Sequence, residues 1–428
     1  MARGGLGLLC TLAVAACAAQ HPARPATPLA AGHARRRARN PTVQIYSSLP
    51  LSGSERGASL ELEQGIRLAL ARAGNRAGRF RVRYRALSDA SARTHGWNPA
   101  ATVANAVAAA RNPQTVAYIG ELDSGATELS LPILNQAGIV ELTPGSGYAG
   151  LTDKVAGVTP TGEPGVYYPH GRPTLLRLIP DDIVEAAAAV YWLKHDTGCS
   201  HLAAASFGGV GASAMVAAIA QTAKLYGLTF QATAPPGADT KTYLDYAVAL
   251  RDHGVNCFVL TGHVTRAAVA FTNMLNAQLP VGSVVIGTSR MCNPAWTDQA
   301  RGGVLTKVAD ALYCTTPLRP VSDYLGGTSF ARIYLAAHGR QPSAYAYYGY
   351  LATRLVLAAV AAASPHADIR KQVLTNLVDN YASNELETYG FDSTDGQVSS
   401  TAYGLDKVVA GRPTPYKTIT PPSLLLES

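Results

Sequence analysis

The feature that most constrains the fold is a repeated alternation of short apolar runs with longer helix-like stretches. The runs "VQIYSS" from Val43, "FRVRYRAL" from Phe80, "TVAYIG" from Thr115 and "GIVELT" from Gly138 read as strands. Between them, Ala58 to Ala73, Pro99 to Arg111 and Ser124 to Gln136 read as helices. Strands alternating with helical patterns specify a parallel sheet with crossover helices. After Arg177 the same grammar restarts. Helix Asp182 to His195 leads to strand Leu202 to Ser206, helix Ala212 to Tyr226 and strand Leu228 to Thr233. Helix Thr242 to His253, strand Asn256 to Thr261, helix Thr265 to Gln278 and strand Ser283 to Thr288 follow. The expected fold is α/β, with two doubly wound parallel-sheet lobes in tandem.

A further helical block, Tyr324 to His338 and Tyr345 to Ala363, follows Pro320, and the tail from Phe391 reads as turns and short strands. The apolar run Leu355 to Ala363 is far too short to cross a membrane and reads as a buried helix. Tyr345, Tyr347, Tyr348 and Tyr350 read as packing of that helix, with one ring facing a cleft. A chain of 428 residues, 47% hydrophobic and 15% charged, buries more core than one ordinary domain uses, in keeping with two lobes.

The net charge of +8 raises the question of a nucleic-acid partner. Much of the excess lies in "HARRRARN", His33 to Asn40, ahead of the first strand, and no basic stripe with interleaved aromatics follows. The arginines are read as part of a solvated tether, and no nucleic-acid partner is expected. The opening "MARGGLGLLCTLAVAACAAQ" has a positive start, an apolar run too short to span a bilayer, and small residues before Cys17. This is the pattern of an export signal, residues 1–16. The tetrad Val14, Ala15, Ala16, Cys17 resembles the lipobox of bacterial lipoproteins, which implies a lipid on Cys17 and anchoring to the outer face of the cytoplasmic membrane. Residues 17–41, rich in Ala, Pro and Arg, then form a flexible leash.

Of six cysteines, Cys10 lies in the signal and Cys17 at the lipid site. Cys199, Cys257, Cys292 and Cys314 remain in an oxidising compartment, where pairing is expected. Cys199 and Cys257 each fall just before a strand-like run, and the first and third strands of a doubly wound unit are neighbours. Cys292 and Cys314 flank the next strand connection. The pairing expected is Cys199 with Cys257 and Cys292 with Cys314.

In parallel α/β sheets ligands gather beyond the carboxyl ends of the strands. There the first turn of the next helix presents free N–H groups and a partial positive charge. Ser124, Gly125, Ala126 and Thr127 sit at such a place, where small hydroxyl residues and a glycine suit a carboxylate. A plain cap for the helix itself is the commoner role of such residues. No G-x-S-x-G elbow, H-E-x-x-H pair or Walker loop occurs, and "SFGGVGAS" at Ser206 lacks the G-x-G-x-x-G spacing and a following acid. No catalysis, cofactor or metal is expected.

Four segments, "PLSGSERGASLELEQGIRLALARAG" (Pro50 to Gly74), "AYIGELDSGATELSLPILNQAGIVELTPGSGY" (Ala117 to Tyr148), "LRLIPDD" (Leu176 to Asp182) and "PSAYAYYGYLATRLVLAAV" (Pro342 to Val360), resemble in order and spacing the type I periplasmic binding proteins. The branch resembled is that of the leucine/isoleucine/valine receptors of ABC importers. The resemblance implies a clamshell with three crossings between lobes, near Arg177 to Asp182, near Pro317 to Ser322 and near Phe391. Lobe 1 is then 42–178 plus 321–390, and lobe 2 is 179–320 plus 391–428.

Carried over residue by residue, the carboxylate-binding serine matches Ser124. The family's turn of backbone and side-chain contacts matches Thr143, Pro144, Gly145, Ser146 and Gly147, with Gly147 where a threonine is usual, and the hinge acid matches Asp182. In the second lobe the aromatic position holds His263. The acidic position falls on Thr288, Ser289 and Arg290, so the acid that meets an ammonium in the family is missing there. His263 is open between surface residue, ligand donor and pH-sensitive contact. Arg290 is open between an anion contact and a solvated side chain. The implied function is capture of a small amino-acid-like or carboxylate solute for a membrane permease, and the alternative is a sensor of the same fold that reports to a signalling partner.

Overall fold

The computed structural model describes residues 41–91, 96–233, 240–324, 326–379, 382–383, 388–389, 391, 396–398 and 400–422. The expected leader, Cys17 and the tether up to residue 40 lie outside them. The first sheet is built from β1 (Thr42–Leu49), β2 (Arg76–Ala77), β3 (Phe80–Ser88), β4 (Thr115–Ile119), β5 (Val140–Thr143) and β6 (Leu175–Arg177), in the order β2-β3-β1-β4-β5-β6. All its pairs are parallel except β2 with β3. β1 is buried almost throughout, as a parallel strand covered on both faces must be.

Helices α1 (Arg56–Arg72), α2 (Pro99–Arg111) and α3 (Ser124–Gln136) are the crossovers of this sheet. The second sheet contains β7 (His201–Ser206), β8 (Thr229–Thr233), β9 (Cys257–Thr261), β10 (Val284–Gly287) and β11 (Leu312–Thr316), all parallel. Its helices are α4 (Asp182–Asp196), α5 (Ala212–Leu225), α6 (Thr240–Asp252) and α7 (Arg266–Gln278), followed by the short α8 (Pro294–Thr297) and α9 (Thr306–Ala309). The chain then returns to the first lobe as α10 (Gly327–His338), α11 (Ala344–Ala362) and α12 (Ile369–Asp379). A two-stranded piece, β12 (Ala382–Ser383) with β13 (Thr388–Tyr389), precedes the antiparallel hairpin β14 (Tyr403–Val409) and β15 (Arg412–Ile419). The hairpin extends the second sheet, giving the order β15-β14-β11-β10-β9-β7-β8.

Packing follows the expected two lobes. The first core gathers Ile45, Leu49, Leu62, Ile66, Ile119 and Leu142 beneath Phe330, Tyr347, Leu351 and Val356. Helices α1 and α11 cross where both carry glycine. A Cβ on Gly65 would run into Ala346 O, and one on Gly349 into Leu62 O, so the backbones approach to a distance that no larger residue permits. Tyr347, Tyr348 and Tyr350 are buried in this core, as expected of packing residues. Phe391 also packs there with Val398 against it, and Arg177 N–H donates to Gly396 O (3.0 Å). Phe391, Gly396 and Val398 thus lie against the first lobe.

The segments that follow β6, follow β11 and precede β14 line a cavity of about 50 Å³, with Leu178 and Pro180, Pro317 and Arg319, and Ser400 and Ala402 in its wall. Residues Tyr148 to Tyr168, in the long connection from β5 to β6, bridge the two sheets: they pack on Leu131 of α3 and Leu175 of β6 and also reach the second lobe. Tyr148, Leu151, Tyr167 and Tyr168 share a core with Ala189, Leu193, Met215 and Ile219 of α4 and α5. Gln221 Nε2 on α5 donates to Ala156 O (2.8 Å), so this strap ties the first lobe's loop to the second lobe.

Both disulfides pair as expected. Cys199 joins Cys257 with Cα atoms 5.8 Å apart, and Cys292 joins Cys314 at 5.3 Å. Each holds a segment against the strand next to it in the second sheet. No helix among the described residues is long and apolar enough to cross a membrane.

Candidate functional site

The residues singled out at the carboxyl ends of β4 and β5 come together. Thr127 Oγ1 and Ser146 Oγ share a hydrogen bond of 2.6 Å, and Ser124 Oγ accepts from Tyr148 N–H at 3.2 Å. Ser146 Oγ also donates to Glu121 O, while its N–H and that of Gly145 reach Thr143 Oγ1. The hydroxyls are thus engaged in holding the 143–148 turn against α3. Ser124, Ala126, Thr127 and Ser146 have no accessible surface. The helix start carries its own anion, because Asp123 Oδ1 accepts from Gly125 N–H at 2.7 Å. Trp97 covers this corner, with its ring edge 2.9 Å from where a Cβ on Gly125 would stand. The open oxyanion pocket expected from Ser124 and Thr127 is, in this conformation, a closed and capped helix start.

Arg177, which the sequence offered only as the first residue of a hinge pattern, is the buried brace of this turn. Its guanidinium donates to Ser146 O, to Tyr148 O (2.7 Å) and to Thr152 Oγ1 (2.9 Å). Asp182 lies against the same turn. Its N–H donates to Gly147 O (2.8 Å), and its Oδ1 fills the place a Cβ on Gly147 would take. The glycine in place of the family's threonine and the acid at Asp182 therefore belong together. Asp182 Oδ2 faces Gly211 at the start of α5, against which the Tyr148 ring also rests.

From the second lobe, Ser289 ties the loop after β10 to α4: its N–H (2.6 Å) and Oγ (3.0 Å) both donate to Glu185, which Thr315 Oγ1 also meets. His263 is exposed, with its ring against Gly209 and its N–H on Gly208 O. Arg290 is the second-lobe side chain that crosses over: its Nη1 lies 3.3 Å from Asp123 Oδ2, with both side chains mostly buried.

Charge around this contact is strongly acidic. Burial, then Asp123 and Asp89, push the Glu55 carboxyl up to about 7, against the pull of Arg290. Glu128 is raised by burial, and Asp182 is raised by burial and by Glu185; Arg290 pulls both back. Behind them lies a buried acid group. Glu121 is raised by burial and then by the charges of Asp89 and Glu141, while Asp89 is pushed to about 6 and Glu141 to about 8, mainly by burial. Tyr345 stands beside Glu55, its hydroxyl pushed up to about 12 by burial and that charge. Sequence alone gave no sign of the Asp123–Arg290 pair, although Asp directly before a helix is the usual sign of a cap.

The site lies where strand ends from two α/β lobes face each other, and a family model described as periplasmic binding protein matches residues 42–408. The chain belongs to this family. Periplasmic binding proteins of this type bind solutes and are not enzymes. Its fold is similar to that of a leucine-binding protein, LivK, from Thermotoga maritima: 16% identity, 89% of this chain, 99% of the other, TM-score 0.68. It is also similar to an ABC transporter substrate-binding protein from Desulfitobacterium hafniense in complex with Leu (19%, 88% and 100%, TM-score 0.67). A solute-binding protein of R. palustris in complex with benzoate is similar at 16% identity (89% and 97%, TM-score 0.64). A comparison with curated protein sequences finds no match.

Proposed function

We propose that the chain is an extracytoplasmic, lipid-anchored solute-binding protein of an ABC importer. It captures a small amino-acid-like solute between its lobes and presents it to a membrane permease. What supports the reading is that groups from both sheets meet at the strand ends: Asp182 lies against the 143–148 turn, and Arg290 pairs with Asp123. Closure turns about the segments between Arg177 and Asp182, between Thr316 and Gly327, and between Val398 and Tyr403. Cys17 supplies the anchor, and the tether gives the body reach from the membrane.

The test is a thermal-shift screen of the purified protein against amino acids, organic acids, amides and amines, with X-ray scattering on each hit. A solute that binds the native state raises Tm, and clamshell closure lowers the radius of gyration. A panel without a single stabilising solute overturns the reading.

A further inference from the structure

We propose that the solute selected by this cleft carries a cationic group, an ammonium or amidinium, seated on the Asp182 carboxylate. The inference rests on the solute-binding reading above and names the chemistry of that same site. Asp182 is 8% exposed, and among the described residues no hydrogen bond reaches its carboxylate. A buried carboxylate without a partner is costly, and a cation is what relieves it.

The cations already present are committed elsewhere. Arg177 donates to the 146–152 turn, and Arg290 is paired with Asp123. Around Arg290 stand Asp123, Glu55, Glu128 and Asp182, so acids outnumber the one guanidinium and leave the cleft negative. The walls suit the same chemistry, since the Tyr148 ring packs on Gly211 beside Asp182 and Trp97 lies over Gly125.

An anion at the start of α3 finds little to hold it. Asp123 occupies the helix cap, and the hydroxyls of Thr127 and Ser146 bond each other. Ser124 meets the backbone of Tyr148 and has no accessible surface. The acid missing from the loop after β10 is thus replaced by one at the first position of α4.

Calorimetric titration of the purified protein with agmatine, putrescine, L-arginine, L-leucine and benzoate tests this. A cationic probe is expected to bind and benzoate is not. Asp182→Asn should weaken the cationic probe about tenfold or more, the loss of one charge-assisted contact, while the variant melts no lower than the parent. Binding of L-leucine or benzoate that Asp182→Asn leaves unchanged overturns the inference while the solute-binding reading stands. Silence from all five probes also overturns it, and the reading itself then falls only if the wider thermal-shift screen is blank.

Discussion

The carboxylate of Asp182 stands where a side chain on Gly147 would begin, and the two residues are further joined by the Asp182 N–H to Gly147 O bond of 2.8 Å. A methyl group at Gly147 must push the carboxylate aside. Gly147→Ala is expected to cost about 1–3 kcal/mol, the range for overpacking a close contact. Asp182→Ala makes room for that methyl, so the double variant should lose less than the sum of the two single losses. Urea unfolding of the four proteins measures the coupling, and additive losses would show that the contact carries no energy.

Arg177 is fully buried and holds three groups of one turn. Arg177→Met leaves Ser146 O, Tyr148 O and Thr152 Oγ1 without those donors, and an expected loss of about 3 kcal/mol or more follows. Arg177→Lys should rescue little of it, because a single ammonium cannot reproduce the planar fork that spans these acceptors. Chemical denaturation checks both, and a Lys variant as stable as the parent would refute the bracing role.

The parts of this architecture written in local chemistry are legible in the sequence. Helices α2 and α3 run over the expected residues because Asn98 and Asp123 cap them and strand-like runs flank them. The short strands expected in the tail form as β14 and β15. Helix α12 was missed, although Ile369, Val373, Leu374 and Leu377 give it an apolar face that packs on the first core. At the site, the meeting of Ser124, Thr127 and Ser146 was readable from strand-turn-helix order. Their engagement was not, since it depends on Arg177 and on a strap that packs against the other lobe. The Asp123–Arg290 contact joins residues 167 positions apart, a separation at which residue type says nothing about partner.

Glu141 is a completely buried acid whose Oε1 accepts from Ser130 Oγ at 2.8 Å, and burial raises its carboxyl from 4.5 to about 8. The folded state therefore keeps the proton that the unfolded chain releases. Stability from this group is fully present below about pH 4.5 and is lost as pH rises through about 8. Glu141→Gln, which mimics the protonated acid, should melt close to the parent at about pH 5 and higher than the parent at about pH 8. Melts at the two pH values decide it: a variant with the parent's pH dependence would show that Glu141 is ionised in the fold.

Asp123 divides its carboxylate between two tasks, with Oδ1 on the Gly125 N–H of its own helix and Oδ2 on Arg290 of the facing lobe. The tasks can be separated, because asparagine caps a helix as well as aspartate does but carries no charge. Asp123→Asn and Arg290→Gln should therefore both weaken the contact across the cleft while leaving α3 capped. With side chains 15% and 21% exposed, a pair of this kind is worth about 1 kcal/mol, roughly a fivefold change in the ratio of open to closed protein. Small-angle scattering without solute should show a larger radius of gyration for each variant, and added salt should move the parent the same way. If both variants and the salt leave the radius unchanged, the pair does not hold the lobes together, and closure rests on the apolar strap of Tyr148, Leu151 and Tyr167 against α4 and α5.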